Sequence, residues 1–280
     1  MVNGAKRVLV FDSGVGGLSV FDAIAASGHA FDLDYAADNA WLPYGLKSDE
    51  QLRSRVPALL SRLAEQWAPD AVVVACNTAS TIALEQVRAA LSVPVVGVVP
   101  PIKPAAAQTR TGVIGLLATP ATVQRAYTND LIAQFAGDKK VIRFGSAALV
   151  EAAERKLRGE DFGQSAITEA IEGLFGAAGG EQLDVVALAC THFPLLAAEL
   201  AAAAPRACLW MDSGEAIARR LANVLSAQEG ASRVQRAAFT GADGARASLR
   251  AFEARGFSDF SHISDAPDFE VAALENSRSA

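Results

Sequence analysis

The sequence predicts an α/β protein with two pseudo-symmetric lobes, each built around a parallel sheet. Short apolar runs alternate with Ala- and Leu-rich helical stretches along the chain, a pattern typical of parallel α/β folds. The runs are continuously apolar, as expected for strands that are covered on both faces. Two of them begin with Asp70 and Asp184 and lead into Cys76 and Cys190 in matching frames. This repeat predicts two related halves.

Eight apolar runs are predicted as strands, and the longer intervening stretches as helices. The predicted strands cover residues 8–11, 33–36, 71–75, 95–98, 112–117, 141–144, 185–189 and 207–211. The clearest helices are predicted over residues 51–66, 122–135, 165–176 and 214–227. Both matched cysteines end such a strand, so each thiol is expected at the carboxyl end of a parallel sheet, where open α/β sheets bind ligands.

The two halves also define the predicted domains. Each half opens with a strand that ends in a small polar loop, at Asp12 in the first and at Thr119 in the second. A Pro-rich segment at 99–104 marks the first crossing between domains, and the return crossing is expected near 207–213. We predict one lobe from residues 1–99 plus about 210–272, a second lobe from 100–209, and a flexible tail at 273–280. The active site is expected in the cleft where the lobes face each other.

Composition and charge exclude several classes of protein. The 280 residues are 51% hydrophobic, which favours a folded core over disorder. A net charge of −6 without a basic cluster argues against nucleic-acid binding. Neither a membrane helix nor a signal peptide is indicated. Three cysteines are a sparse and odd count for a disulfide framework, so reduced thiols and a cytoplasmic location are expected.

Cys76 and Cys190 are the candidate reactive groups. Small polar residues that can cap a helix follow each of them, so each sulfur is expected near a helix N-terminus, which favours the thiolate. These residues are Asn77, Thr78 and Thr191. His192, two residues past Cys190, is available as a proton partner. Two thiols in one pocket can move a proton from one face of a carbon to the other.

The alternative for a cysteine after a strand is a small buried apolar residue, and we interpret Cys208 in this way. A structural zinc site is not predicted, because Cys-x-His is not the usual spacing of a zinc pair and no further cluster completes it.

Three polar loops are further candidates. In the glycine-rich loop at 12–17, backbone N–H groups can form an anion nest, and Asp12 can accept hydrogen bonds from a substrate ammonium. The loop lacks the third glycine of a dinucleotide site and the lysine of a P-loop, and its alternative is a tight turn that begins a helix. The segment 38–45 contains turn-forming residues. Thr119 and Thr122 either line the pocket or cap the next helix.

Five motifs of the chain resemble the motif set of the glutamate racemase family. They are Asp-Ser-Gly-x-Gly-Gly-Leu-Ser-Val at 12–20, Asp-x-x-x-x-Pro-Tyr-Gly at 38–45, Ala-Cys-Asn-Thr-Ala-Ser at 75–80, Leu-Ala-Thr-x-x-Thr-Val at 117–123 and Cys-Thr-His-Phe-Pro-Leu-Leu at 190–196. They stand in family order and spacing, and Asp212-Ser213 resembles the family's late strand end. The resemblance implies a cofactor-independent amino-acid racemase with its site between two α/β lobes. It also implies a homodimer that acts on glutamate and supplies D-glutamate for peptidoglycan.

The resemblance implies roles for individual residues. Cys76 resembles the base that deprotonates D-glutamate, and Cys190 the base that acts on L-glutamate. Asp12 and His192 resemble a supporting acid/base pair, and Glu151 resembles a carboxylate near the second thiol. The implied substrate contacts are Asp12, Ser13, Pro43, Tyr44, Gly45, Asn77, Thr78, Thr119, Thr122, Thr191 and His192. No lysine stands in a motif to form a Schiff base with pyridoxal phosphate, so no cofactor is expected.

Four positions depart from the family pattern without removing a group that the chemistry needs. Ala189 and Phe193 replace the more usual Gly and Tyr, Ala121 replaces a Gly, and Ser146 stands where a Cys is common. Three alternatives stay open: aspartate or another acidic amino acid as substrate, an amino-acid sensor without turnover, and a thiol redox protein. The paired thiols disfavour the sensor, and the lack of a C-x-x-C motif or a nearby resolving cysteine disfavours the redox protein.

Overall fold

A computed structural model describes residues 5–264 and 271–273 of the chain. Within these residues the strands are β1 Lys6–Asp12, β2 Phe31–Ala37, β3 Ala71–Val74, β4 Val95–Gly97, β5 Val113–Ala118, β6 Lys140–Gly145, β7 Val185–Leu188, β8 Leu209–Met211, β9 Arg233–Phe239, β10 Asp259–Ile263 and β11 Val271–Ala273. The helices are α1 Leu18–Ala25, α2 Asp49–Trp67, α3 Asn77–Ile82, α4 Leu84–Ala90, α5 Ile102–Gln108, α6 Pro120–Gln124, α7 Ala126–Ala136, α8 Ala148–Leu157, α9 Ser165–Phe175, α10 Ala197–Ala203, α11 Gly214–Leu225 and α12 Ala242–Glu253.

The strands form two sheets that follow the same path. The larger sheet has the order β11-β10-β9-β2-β1-β3-β4, and the smaller one the order β6-β5-β7-β8. All neighbours pair in parallel except β10 and β11, which are antiparallel. The path β2-β1-β3-β4 repeats as β6-β5-β7-β8, so β3 and β7 occupy equivalent positions. The fold is therefore the predicted α/β class with two related parallel-sheet lobes.

Both sheets are covered on their two faces. Every residue of β3 and β7 is buried, and each sheet has one apolar cluster on either side. On one face of the larger sheet, Tyr35 of β2 packs edge-to-face against Phe252 of α12, with ring centroids 5.1 Å apart. This two-sided burial explains why the strand sequences are continuously apolar. It also leaves the carboxyl ends of β1, β3, β5 and β7 as the places where polar side chains collect.

The eight predicted strands are confirmed to within a few residues. β9, β10 and β11 are not among the predicted strands. β9 begins with charged and half-buried residues rather than with an apolar run. The single helix predicted over 122–135 is wrong. Two helices, α6 and α7, meet there at Arg125, whose backbone is extended with φ −67° and ψ 144°.

The predicted domain boundaries stay a prediction. The predicted tail at 273–280 lies outside the described residues except for Ala273, which ends β11. Across the described residues, no helix combines the length and the apolar character that crossing a membrane requires.

Candidate active site

A narrow cavity lies where the carboxyl ends of the strands of both sheets meet. Its walls are Ser13, Leu42, Pro43, Tyr44, Gly45, Cys76, Asn77, Thr78, Thr119, Thr122, Val150, Ala189, Cys190, Thr191 and His192. Among these are all the predicted site residues other than Asp12 and Glu151. The cavity measures about 20 Å³, which is room for a water molecule but not for an amino acid. The walls must move apart for a substrate to enter.

Asp12 lies behind the cavity wall at the end of β1, and it is fully buried. Its Oδ1 accepts hydrogen bonds from the Gly14 N–H at 2.9 Å and the Ser13 hydroxyl at 3.3 Å. Its Oδ2 accepts the Thr191 hydroxyl at 2.9 Å, so the carboxylate ties the first motif to the second cysteine motif. Burial raises the pKa of Asp12, against the lowering effects of His192, Gly14 and Thr191.

Cys76 lies two residues past the end of β3 and is the N-cap residue of helix α3. Its Sγ lies 3.8 Å from the Ser13 Oγ, which in turn donates to Asp12. Burial and, next, the charge of Asp12 raise the pKa of this thiol to about 12. The prediction that the surroundings of Cys76 favour its thiolate is therefore wrong. The six-residue helix and the Ser13 hydroxyl do not offset the effect of burial on the pKa.

Cys190 follows β7 and faces an imidazole. Its Sγ lies 3.9 Å from Nδ1 of His192, and Nε2 of His192 lies 2.9 Å from Oε1 of Glu154 on α8. Burial alone lowers the pKa of His192, but the contacts with Cys190 and Glu154 outweigh it and hold the pKa well above its usual value. Burial likewise works against ionisation of Glu154, and the bond from His192 reverses this and lowers the pKa of the carboxyl. Both shifts favour an ion pair of an imidazolium and a carboxylate.

The two thiols differ in their partners. Cys76 lies beside the Ser13 hydroxyl, which bonds to the Asp12 carboxylate, whereas Cys190 lies beside the imidazole of His192. The prediction that Thr191 caps a helix is wrong. Instead Thr191 bonds to Asp12, and a short 3₁₀ helix, Phe193–Leu196, follows His192.

The glycines of the loop at 12–17 allow three functional groups to approach the backbone. A Cβ on Gly14 would lie 2.3 Å from Oε1 of Glu154, and one on Gly16 would lie 2.4 Å from Nδ1 of His192. A Cβ on Gly17 would lie 2.7 Å from the Tyr35 hydroxyl. The predicted anion nest is only partly available, because the Gly14 N–H bonds to Asp12 and the next N–H to Glu154.

Asp38 anchors the loop that carries Tyr44 into the cavity wall. The Asp38 carboxylate is fully buried and accepts hydrogen bonds from Nε and Nη2 of Arg55, at 2.6 and 2.7 Å. It also accepts the hydroxyls of Tyr44 at 2.6 Å and Thr240 at 2.7 Å. The Asp38 carboxylate is thus fully engaged with protein groups. Its role in the 38–45 motif is to hold the loop in place rather than to contact the substrate.

Hydroxyl and amide groups complete the cavity wall. Thr119 caps α6 and its Oγ1 lies 2.9 Å from the Thr122 Oγ1, so the capping and lining interpretations both hold. The Oδ1 atom of Asn77 is buried in the wall without a hydrogen-bond partner. Buried polar atoms are normally paired, so this atom is suited to meet a polar group of a bound molecule.

Glu151 is a correction to the predicted site. Its side chain lies on the exposed face of α8, whereas Glu154, one turn further along, is buried against His192. Helical periodicity in the sequence contained the signal. Leu149, Val150 and Ala153 contribute to the buried face of α8. Glu154 lies four residues after Val150, so it falls on the same face of the helix. Leu42 and Val150 also line the cavity, and neither is among the predicted site residues.

Comparison with known proteins identifies the relatives of this chain. A glutamate racemase of Sphingopyxis alaskensis is 54% identical over 221 residues, which cover 79% of this chain and 82% of the relative. One of Vibrio vulnificus is 49% identical over 78% of this chain and 81% of the relative. The crystal structure of Escherichia coli glutamate racemase in complex with L-glutamate and the activator UDP-MurNAc-Ala matches with a TM-score of 0.84. It is 41% identical and covers 97% of this chain and 100% of that one. Residues 16–221 match the family Asp/Glu/Hydantoin racemase, and the chain belongs to this family.

Proposed function

We propose that this chain interconverts L- and D-glutamate by moving the α-proton between two thiols, without a cofactor. The observation that carries the proposal is the presence of Cys76 and Cys190 in the wall of one cavity. The relatives named glutamate racemase support glutamate as the substrate. A single base would have to cross the plane of the substrate, whereas two facing bases need not move.

In the proposed reaction from D-glutamate, the Cys76 thiolate takes the α-proton and the Cys190 thiol returns one on the opposite face. The reverse reaction begins at Cys190. The electron pair left on the α-carbon spreads into the substrate carboxylate, which hydroxyl and amide donors of the wall stabilise. The proposed donors and shape-setting contacts are Ser13, Pro43, Tyr44, Gly45, Asn77, Thr78, Thr119, Thr122 and Thr191.

Substrate binding has a role in activating Cys76. Burial and the charge of Asp12 raise the pKa of this thiol to about 12. A substrate ammonium brought near Asp12 cancels that charge and favours the thiolate. Asp12 thus acts through the substrate on the Cys76 side, and His192 acts directly on the Cys190 side.

The activity test is circular dichroism of L- and of D-glutamate incubated with the purified, cofactor-free protein. We expect both signals to decay to zero. In D₂O, the product should carry deuterium at the α-carbon from the first turnover, because the arriving proton comes from a solvent-exchanged thiol, and recovered substrate should carry much less. A constant signal with glutamate, or a product that keeps its original α-hydrogen, contradicts the proposal. Decay with aspartate instead would assign the other acidic substrate.

The wider role follows from the same proposal. D-Glutamate made by this chain would supply peptidoglycan synthesis in the cytoplasm, and we expect a homodimer, as the family resemblance implies. All three cysteines are free thiols, which is compatible with a reducing compartment.

A second cavity supports the proposal that an anionic activator regulates this chain. It measures about 770 Å³ and lies between β4, α5, α7 and α11, and neither Cys76 nor Cys190 lines it. Three cations line it, Arg88, Lys103 and Arg220, against one carboxylate, Asp212. Apolar walls with several cationic side chains suit a nucleoside diphosphate. Because the Escherichia coli relative binds the activator UDP-MurNAc-Ala, we propose that this cavity receives the same class of ligand.

Addition of UDP-MurNAc-Ala is expected to raise kcat of the wild-type protein. Arg220→Glu should lose the activation and keep the basal rate, because it reverses a charge at the cavity rim. The matched control is Arg219→Glu, whose arginine lies outside the cavity and pairs with Glu215. Equal activation of the two variants, or no response of the wild-type protein, would rule out this site.

A further inference from the structure

Tyr35 is a buried tyrosine that lies outside the cavity wall. It stands on β2 with no exposed surface, and its ring is surrounded by Phe21, Phe252 and Phe257. A phenylalanine would serve such an apolar cluster, because burying a hydroxyl costs free energy unless it is hydrogen-bonded. The Tyr35 hydroxyl has a partner, the carbonyl oxygen of Gly14 at 2.8 Å.

The Gly14 carbonyl belongs to the same peptide group as the N–H of Val15. That N–H donates to Oε1 of Glu154 at 2.9 Å, and the same oxygen lies 2.9 Å from Nε2 of His192. The other ring nitrogen of His192 lies 3.9 Å from the sulfur of Cys190. One continuous chain of polar contacts therefore leads from the Tyr35 hydroxyl on the larger sheet to the second thiol.

The close approach of the loop to the phenol supports this contact. A Cβ on Gly17 would lie 2.7 Å from the Tyr35 hydroxyl, so the loop is seated directly on it. A hydrogen bond to a peptide carbonyl also polarises the peptide and strengthens its N–H as a donor. Burial, and then the charges of Asp12, Glu154 and Cys76, raise the pKa of Tyr35 well above its usual value, so the phenol remains a neutral donor.

We infer that Tyr35 is a positioning residue for the Cys190 half of the reaction. By fixing the Gly14–Val15 peptide, it holds Glu154, and through Glu154 it holds the imidazole of His192 against Cys190. The inference rests on the proposed racemase function for its kinetic consequence. The groups that face His192 are Cys190, Glu154 and the carboxylate of Asp12. The Tyr35 hydroxyl bonds to the backbone carbonyl of Gly14, so Tyr35 acts on these groups through the backbone.

Tyr35→Phe tests this role because it removes the hydroxyl and keeps the ring. We expect kcat to fall about tenfold, the effect of one hydrogen bond, with KM unchanged, because residue 35 does not line the cavity. Alkylation by iodoacetamide, followed by peptide mass spectrometry, should slow at Cys190 relative to Cys76 in the same molecule. This ratio needs no turnover, so it tests Tyr35 even if the wild-type protein does not racemise glutamate.

Phe252→Leu is the matched control, because it disturbs the same aromatic cluster and leaves the hydroxyl in place. It should lower the unfolding temperature without changing kcat or the alkylation ratio. If Tyr35→Phe does not fold, 3-fluorotyrosine at position 35 gives a stronger donor of nearly the same size, and Cys190 should then react faster relative to Cys76. A wild-type ratio in Tyr35→Phe or in the fluorotyrosine protein, or the same loss in Phe252→Leu, would overturn the inference.

Discussion

Replacement of Cys76 or of Cys190 by alanine is expected to abolish racemisation while the protein stays folded. In the proposed reaction each thiol serves one face of the α-carbon, so either variant lacks proton removal or proton return. Each substitution removes a single sulfur atom at the wall of the cavity, so it removes little packing. Circular dichroism of glutamate measures the rate, and thermal unfolding reports the fold.

The third cysteine provides the control. Cys208 is half-buried beside β8 and packs at the edge of the core of the smaller sheet, outside the cavity. Cys208→Ala should racemise glutamate at the wild-type rate.

The single thiol variants should also differ in D₂O. Cys76→Ala keeps Cys190, so it should exchange the α-hydrogen of L-glutamate slowly without inverting it, and Cys190→Ala should do the same with D-glutamate. Near-wild-type racemisation in either alanine variant would exclude the two-thiol reaction.

The fold was predictable from the sequence wherever burial is two-sided. β3 and β7 are buried at every residue, and their continuous apolar runs made both the strands and the repeat visible. β9 was missed because its first residues are charged or half-buried. The break at Arg125 was missed because the helical periodicity continues across it. Its side chain pairs with Asp49 at 3.0 Å, and such a long-range contact is not written in the local pattern.

The candidate site was predictable as a set of residues but not as a network. The matching cysteine frames predicted that both thiols share a pocket, and both line the cavity. The prediction for Glu151 was wrong because the resemblance indicates a carboxylate on this helix but not which one. The orientation of the helix about its axis decides which carboxylate points inward. The thiolate expectation failed at Cys76 because the helix effect was counted without the burial and the neighbouring Asp12, which dominate its pKa.

Glu154→Gln is expected to lower kcat by about 10²-fold, the lower end of general acid/base contributions. Glutamine keeps an oxygen for the His192 N–H and removes the negative charge that favours the imidazolium. The matched control is Glu151→Gln, which removes an exposed carboxylate of the same helix and should leave kcat unchanged. The reverse result would restore Glu151 to the site and make Glu154 a structural residue.

The pH dependence of kcat shows in which direction Glu154 shifts the pKa of His192. In the wild-type protein the pKa of His192 is well above its usual value, so the imidazolium persists through neutral pH and is lost as pH rises through that elevated pKa. Without the charge of Glu154 the pKa of His192 falls. The alkaline limb of the kcat profile should therefore move to lower pH in Glu154→Gln, and it should stay in place in Glu151→Gln. An unmoved limb would show that the ion pair does not govern the Cys190 half.

His192→Asn and Asp12→Asn extend the test to the two halves of the reaction, and each should lower kcat by about 10²–10⁴-fold. Enantiomers have equal free energies, so kcat/KM must fall by the same factor in both directions. The separate values of kcat and of KM can still differ between the two directions, and these differences distinguish the two halves of the reaction. Removal of His192 weakens the partner of Cys190, and removal of the Asp12 charge weakens the link between the substrate ammonium and Cys76. The two variants should therefore distort the ratio of forward to reverse kcat in opposite senses, which progress curves started from each enantiomer measure. Equal distortion in both would mean that the two groups support the site as a whole rather than one thiol each.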